Sequence, residues 1–217
     1  MKKFDLKGFS TKHSAEYLEG LAVEFHNAIN EGNEELAMEL DDNEELDVKY
    51  NYMERIPIFS AINNKMYKLF DKIVNHPKWD CTIEDGFGET LFESLIYFYA
   101  SEEISKSEQE EIKLKKMIIS LINSDKIDFE IKDLNQDTAI NIACAFPKAI
   151  WIVEVLLKKG VDVNVKNDFN RKALEEAISY QNIEAIKLLA KYGKSEVTDF
   201  TVKMAKEYNI NLSEFGF

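Results

Sequence analysis

Residues 138–193 read TAINIACAFPKAIWIVEVLLKKGVDVNVKNDFNRKALEEAISYQNIEAIKLLAKYG, and this stretch gives the strongest indication of the fold. One unit occurs in it twice. The tetrad 138–141 is followed by Ala143, and 34 residues later the tetrad 172–175 is followed by Ala177. Apolar residues recur around both tetrads at helical spacing, and small residues stand where two helices can approach each other. The stretch therefore predicts two copies of one helical unit.

A second apolar segment follows each tetrad, at 150–157 and at 183–189, and each segment ends at a glycine. We expect Gly160 and Gly193 to adopt the left-handed conformation that closes a helix. Residues 161–165 (VDVNV) alternate strictly between apolar and polar side chains, which predicts an extended segment. The unit is thus a helix, a turn, a second helix, a glycine stop and an extended tip.

The same frame continues towards the N-terminus. The intervals between successive frames are 33, 34, 48 and 34 residues, so three of the four agree and the long one indicates an insertion of about 14 residues, near 101–113. The frames start at residues 23, 56, 90, 138 and 172.

A period near 33 residues with a T-P-L-H-x-A frame is similar to the ankyrin repeat. Thr138 occupies the position at which that family caps the inner helix through a threonine hydroxyl. His26 occupies the position of the family's framework histidine. Asn141 and Glu175 replace that histidine, so the array is diverged. The resemblance implies an all-α fold, an α-solenoid of ankyrin-type helix-turn-helix repeats with short hairpin-like loops.

The register divides the chain as one continuous domain. We expect the insertion near 101–113 to extend a helix or to form a loop, and a contact with a partner is the alternative interpretation. An N-terminal tail and capping helix would occupy 1–22, repeats would occupy 23–55, 56–89, 90–137, 138–171 and 172–199, and a C-terminal capping helix and tail would occupy 200–217.

The net charge is −13, which disfavours direct binding to nucleic acid or to an anionic membrane and favours a protein partner with a basic or mixed surface. No apolar run reaches the roughly 18 residues of a membrane span. The first residues lack the apolar core of a secretory signal, and two cysteines make no disulfide framework. We expect a cytoplasmic monomer.

The sequence lacks the residue patterns that are typical of catalytic, metal-binding and phosphate-binding sites. His13, His26 and His76 are far apart in the register, and no cysteine or histidine pair has metal-ligand spacing. Gly86 and Gly88 belong to a hairpin tip and do not open a phosphate-binding loop. We therefore expect no catalytic residue, no metal and no cofactor, and a non-enzymatic protein.

The ankyrin resemblance implies a partner surface made from the hairpin tips and the exposed face of the inner helices. At those positions the sequence carries an unusual number of aromatic and large apolar residues, with charged residues beside them, as protein interfaces do. The predicted partner-binding residues are Tyr52, Met53, Arg55, Phe87, Glu89, Tyr97, Phe98, Leu134, Asp137, Phe146, Phe169, Arg171 and Tyr180.

Two alternatives remain open at this point. Residues 31–47 contain nine carboxylates and no lysine or arginine, so they could imitate nucleic acid and block a DNA- or RNA-binding protein, or they could form a solvated outer face. The groove could also bind a small ligand or carry an enzymatic site. The prediction that we favour is a protein–protein interaction module that acts as an inhibitor, immunity or adaptor protein.

Overall fold

The computed structural model describes residues 14–52, 56–79, 81–84, 88–100, 107–124 and 126–217. Within these ranges the regular structure is eleven α-helices and two short 3-10 helices, with no β-strand. An isolated antiparallel bridge pairs Lys132 with Thr138. The predicted all-α class is confirmed. The chain forms two compact units, Met1–Asp85 and Gly86–Phe217.

Unit 1 contains two helical hairpins, which are formed by α1 (Ala15–Asn30), α2 (Glu34–Asp41), α3 (Pro57–Asn63) and α4 (Tyr67–Asn75). Helix α1 packs against α2 and α3, and α4 packs against α2 and α3. Phe25, Leu69 and Phe70 are fully buried between them, and burial of such side chains stabilises each by about 1.5–3 kcal/mol.

Helix α1 is continuous through the predicted junction between the capping helix and the first repeat. Its N-cap is Ser14, whose hydroxyl oxygen accepts a hydrogen bond from the Tyr17 N–H at 3.2 Å. Helix α1 contains Gly20 but no proline, and it continues without a break from residue 22 to residue 23, so the two predicted segments form one helix of 16 residues.

His26 serves as a framework residue in unit 1. Its ring is buried, and Nε2–H donates a hydrogen bond to the Tyr50 carbonyl oxygen at 2.6 Å. The Tyr52 ring lies 5.8 Å from the imidazole, measured between centroids. His26 thus joins the first inner helix to the segment that follows the second helix, 24 residues on.

Several acidic side chains of residues 31–47 make packing contacts. Glu34 Oε1 accepts hydrogen bonds from the N–H groups of Lys68 and Leu69 at 3.1 and 3.4 Å, at the start of α4. Asp42 forms an ion pair with Lys72 at 2.5 Å. Glu34 fits a stabilising role, since negative charge is favourable at a helix N-terminus. Asp42 is the C-cap of α2, where its charge is compensated by Lys72.

The helices of unit 2 are α5 (Leu91–Ala100), α6 (Glu108–Asn123), α7 (Ala139–Ala145), α8 (Ile150–Lys159), α9 (Ala173–Ser179), α10 (Ile183–Tyr192) and α11 (Asp199–Glu207), with 3-10 turns at Pro147–Ala149 and Leu212–Phe215. The inner helices pack in chain order, α5 on α7, α7 on α9 and α9 on α11, and the outer helices α6, α8 and α10 pack against α5, α7 and α9. Ala143 and Ala177 are fully buried where α7 and α9 meet, as their small size predicted.

Part of the predicted insertion is helical. Ser107 is the N-cap of α6, and its hydroxyl oxygen accepts a hydrogen bond from the Glu110 N–H at 3.2 Å. Residues 107–113 therefore form the cap and first turns of α6, as expected for a helix extension. Residues 101–106 lie outside the described residues.

The two glycine stops differ. Gly160 has φ 82° and closes α8 in the left-handed conformation, as predicted. The prediction for Gly193 was wrong, since its φ is −80° and its ψ is 145°. Asn164 explains the difference, because its side chain bonds the Lys194 carbonyl and the Glu196 N–H and so draws the chain out in extended form.

Two further local predictions were wrong. Residues 161–165 contain a turn, because the Asp162 carboxylate accepts a hydrogen bond from the Asn164 N–H at 2.9 Å and closes an Asx turn. The Thr138 hydroxyl does not cap α7 but donates to Asn141 Oδ1 at 3.3 Å. Asn141 in turn donates from Nδ2 to the Val165 carbonyl at 3.3 Å, which is again a span of 24 residues. Asn141 thus donates a side-chain hydrogen bond to a backbone carbonyl 24 residues on, as His26 does in unit 1.

Candidate functional site

The candidate site begins with the hairpin tip at residues 133–137. Asp133 is buried, and its Oδ1 accepts hydrogen bonds from the N–H groups of Asn135 and Asp137, both at 2.8 Å. Gln136 adopts a left-handed conformation, with φ 62°. The Asp133 carboxylate therefore holds a tight turn closed from within.

The tip at residues 167–171 repeats this arrangement. Asn167 Oδ1 accepts hydrogen bonds from the N–H groups of Phe169 and Arg171 at 3.1 and 3.0 Å, and Asn170 has φ 58°. The Asp168 N–H donates to the Asn135 carbonyl of the preceding tip at 2.9 Å. Consecutive tips are thus joined through the backbone.

Asn167 also joins both tips to an inner helix. Its Nδ2 donates to Asp137 Oδ1 and to Glu176 Oε1, each at 2.7 Å. Arg171 Nη1 lies 3.8 Å from Glu176 Oε2. Burial raises the pKa of the Asp137 carboxyl and that of Glu176, while the bond from Asn167 partly opposes both shifts. The Asn167 amide thus lies between two partly desolvated carboxylates and donates a hydrogen bond to each.

Aromatic rings stand around these carboxylates. Tyr97 on α5 and Phe146 at the end of α7 are half-buried and meet edge to face, with centroids 5.7 Å apart. Phe169 at the tip is 63% exposed and Tyr180 at the end of α9 is 57% exposed. The Arg171 guanidinium lies 5.8 Å from the Phe169 ring centroid, within cation–π distance.

Together these residues enclose a groove of about 330 Å³ that opens to solvent. It contains four aromatic rings, two carboxylates and one guanidinium. Its lining residues are Tyr97, Asn135, Asp137, Asn141, Ile142, Ala145, Phe146, Phe169, Arg171, Glu176 and Tyr180.

The inner end of the groove is electronegative. Burial raises the pKa of the Tyr97 hydroxyl well above its usual range, and the charges of Asp133, Glu89, Asp137 and Glu93 raise it further. A phenol is harder to ionise where negative charges surround it. A cationic group is therefore favoured at this end of the groove.

Six of the thirteen predicted partner-binding residues line this groove: Tyr97, Asp137, Phe146, Phe169, Arg171 and Tyr180. Phe98 is half-buried on α5 and lies outside the lining. Glu89 accepts a hydrogen bond from the Ser94 hydroxyl at 3.2 Å. That any of these residues binds a partner stays a prediction.

The other predicted residues lie elsewhere. Leu134 is 69% exposed and covers Gly88, where an added Cβ would stand 2.5 Å from the leucine Cγ. Gly88 has φ 71°, so its lack of a side chain serves both the turn and this contact. Tyr52 belongs to unit 1, and the remaining three, Met53, Arg55 and Phe87, lie outside the described residues.

Sequence reasoning missed five lining residues. Ile142 and Glu176 stand four residues before Phe146 and Tyr180, and the i, i+4 spacing of a helix places each pair on one face. Extending the aromatic pattern by one helical turn would have found both. The others are Asn135, Asn141 and Ala145.

None of the helices in the described part of the chain combines the length and the apolar composition that a membrane span requires. Within the same ranges, no three His, Cys, Asp or Glu side chains come together as a metal site would need.

The inner helix α5 carries a buried acid close to the groove. Glu93 Oε2 accepts a hydrogen bond from the Thr90 N–H at 2.8 Å. Burial raises the pKa of Glu93 from 4.5 to about 7, the bonds with Thr90 oppose the shift, and the charges of Asp133 and Glu89 add to it. Because the folded pKa is the higher one, the associated stability is present below pH 4.5 and is lost as the pH rises through about 7.

We expect Glu93→Gln to raise the free energy of unfolding of unit 2 by about 1–2 kcal/mol at about pH 8 and to change it little at about pH 4. Glutamine keeps an oxygen for the Thr90 N–H. The measurement is urea denaturation followed by Trp151 fluorescence in a Trp79→Phe background. Equal differences between variant and parent at both pH values would contradict the assignment.

Comparison with known proteins identifies ankyrin repeats in part of the chain. The model for ankyrin repeats, in three copies, matches residues 109–201. Serine/threonine-protein kinase 12 of Arabidopsis thaliana is 36% identical over 96 residues, which are 42% of this chain and 20% of the kinase. A putative ankyrin repeat protein of Acanthamoeba polyphaga mimivirus is 36% identical over 63 residues, 27% of this chain and 39% of the viral protein. The chain thus spans well under half the length of either relative.

Proposed function

Residues 109–201 of this chain are ankyrin repeats, and from that premise we propose that the groove of unit 2 binds a protein partner. Ankyrin repeats are generally protein–protein interaction modules that bind through the surface built by stacked repeats. The repeat register predicted this family and the all-α ankyrin solenoid from the sequence, and both are confirmed.

The observation that carries the proposal is the pair of exposed rings at the groove mouth. Phe169 is 63% exposed and Tyr180 is 57% exposed, although aromatic side chains gain most from burial. Tyr97 and Phe146 stand half-buried behind them and meet edge to face. Aromatic anchors of this kind carry much of the binding energy in protein interfaces.

We propose binding rather than catalysis, since the ankyrin family is typically non-enzymatic. The kinase relative matches over 20% of its own length, and its activity is not transferred to this chain. The net charge of −13 supports a partner with a basic or mixed surface. We further propose a cytoplasmic monomer with an inhibitor, immunity or adaptor role.

Site-specific photocrosslinking tests the binding face. We expect a benzoyl-phenylalanine at position 169 or 180 to label a specific protein in extracts of the source organism. The same group at Tyr192, on the outer helix α10, is the control, since that side chain is 40% exposed and outside the groove. Unlabelled parent protein should compete for the label.

The proposal fails in either of two results. Equal labelling of the same protein from position 192 would show that the groove is not the binding face. No competed label from positions 169 and 180 would show that the groove does not bind a protein of that organism.

A further inference from the structure

The carboxylates of the groove keep unused hydrogen-bonding capacity. Asp137 and Glu176 each accept from the single Nδ2 of Asn167 at 2.7 Å, and Asn141 also bonds the Asp137 carboxylate. An ionised carboxylate offers about four acceptor positions. Both groups line the groove, so a donor that enters it can reach oxygen atoms that are not saturated.

The groove also carries an excess of negative charge. Its lining has two carboxylates, Asp137 and Glu176, against one guanidinium, that of Arg171. Arg171 lies 3.8 Å from Glu176 and leans over the Phe169 ring. The charge of Arg171 acts on both carboxylates, so one cation faces two anions and the groove keeps a net negative charge.

The walls suit a flat cation. Tyr97 and Phe146 present two rings at 83° to each other, and the Tyr180 ring is exposed at the mouth. A planar guanidinium stacks on aromatic faces, donates five hydrogen bonds and is weakly hydrated, whereas an ammonium is compact and strongly hydrated. The cavity volume of about 330 Å³ lies at the small end of ligand sites, which suits one long side chain.

We propose that this groove binds an arginine side chain of a partner's peptide segment, with the guanidinium against the Asp137 and Glu176 carboxylates and beside the rings of Tyr97, Phe146 and Tyr180. The proposal rests on the protein-binding function above and specifies its partner chemistry. Charge-assisted hydrogen bonds from arginine to the two carboxylates would fix the orientation, while the exposed rings would supply contact area.

The first test is a selection from a random peptide library displayed on phage against the intact chain. Binders of the Phe169→Ser/Tyr180→Ser variant are removed first, so that the remaining peptides require the groove. We expect arginine at one fixed position of these peptides. Groove-dependent peptides without arginine, or with lysine as often, would overturn the arginine proposal and leave protein binding standing. No groove-dependent peptide would overturn the arginine proposal, while crosslinking from positions 169 and 180 would still decide protein binding.

The second test keeps the protein unaltered. Replacing the selected arginine by citrulline, its neutral isostere, should weaken binding about 10- to 100-fold in calorimetry or fluorescence anisotropy, the size expected for hydrogen bonds to charged groups. A citrulline peptide that binds within about twofold of the arginine peptide would overturn the proposal.

A matched pair of protein variants tests whether the carboxylates of the groove bind the arginine. Asp137→Asn/Glu176→Gln keeps oxygen acceptors for Asn167 and should reduce affinity for the arginine peptide about 10- to 100-fold, with little further loss for citrulline. Glu154→Gln/Glu184→Gln removes the same net charge from the outer helices, where both side chains pair with lysines, and should leave affinity within about twofold. Equal losses in the two variants would assign the effect to net charge rather than to the groove.

Discussion

Asn167→Asp is expected to lower the free energy of unfolding of unit 2 by about 3–4 kcal/mol at neutral pH. Aspartate keeps the oxygen that accepts from the N–H groups of Phe169 and Arg171. It loses the Nδ2 that donates to Asp137 and Glu176 at 2.7 Å. Three carboxylates would then meet without the amide N–H groups that separate them, in a place where two are already partly desolvated.

The loss should depend on pH. The new carboxyl would have a folded pKa above its unfolded value, because neighbouring carboxylates disfavour its charge. Its protonated form is tolerated, so stability should return as the pH falls towards about 4. Urea denaturation at both pH values, followed by Trp151 fluorescence in the Trp79→Phe background, measures the difference.

Asp133→Asn is the matched control in the preceding tip. Asn there still presents an oxygen to the N–H groups of Asn135 and Asp137, and we expect a change within about 1 kcal/mol, as for a substitution that preserves the hydrogen bond. If Asn167→Asp were as stable as the parent at neutral pH, the amide bridge would not be what spaces the two carboxylates.

Thr201→Val should destabilise unit 2 by about 2–3 kcal/mol. Thr201 is fully buried, and its hydroxyl donates to Glu175 Oε1 while accepting from the Thr198 N–H at 3.0 Å. Valine has the same shape and leaves the buried Glu175 oxygen and the Thr198 N–H without that partner. Hydrogen exchange should show the largest loss of protection in α11, which this bond ties to α9.

Two further variants distinguish the loss of the Thr201–Glu175 hydrogen bond from other effects of substitution in α11. Val202→Thr adds a hydroxyl at the exposed neighbouring position, and we expect a change within about 0.5 kcal/mol. The double variant Glu175→Leu/Thr201→Val should lose less stability than the sum of its single variants, because replacing both partners leaves no buried oxygen unsatisfied. Strict additivity would show that the two side chains are not coupled.

The repeating part of this protein can be predicted from its sequence alone. The buried alanines Ala143 and Ala177, the helix stop at Gly160 and the framework position of His26 all follow from a register that recurs along the chain. Such features depend on near neighbours and on helical period, which a single sequence displays. The aromatic positions of the groove belong to the same register, and Tyr97, Phe146, Phe169 and Tyr180 could be chosen from it.

The contacts between the repeats depend on the tertiary structure. The sequence predicts Asp137 only as a charged residue beside the aromatic positions, but it is half-buried and bonded to Asn167, 30 residues away, which also bonds Glu176. The backbone at Gly193 is extended because the Asn164 side chain forms hydrogen bonds with the backbone of Lys194 and Glu196. These bonds join residues that are distant in sequence, and their geometry exists only once the repeats have packed. The register therefore predicts which residues face the groove, while the burial and spacing of its charges depend on packing between the repeats.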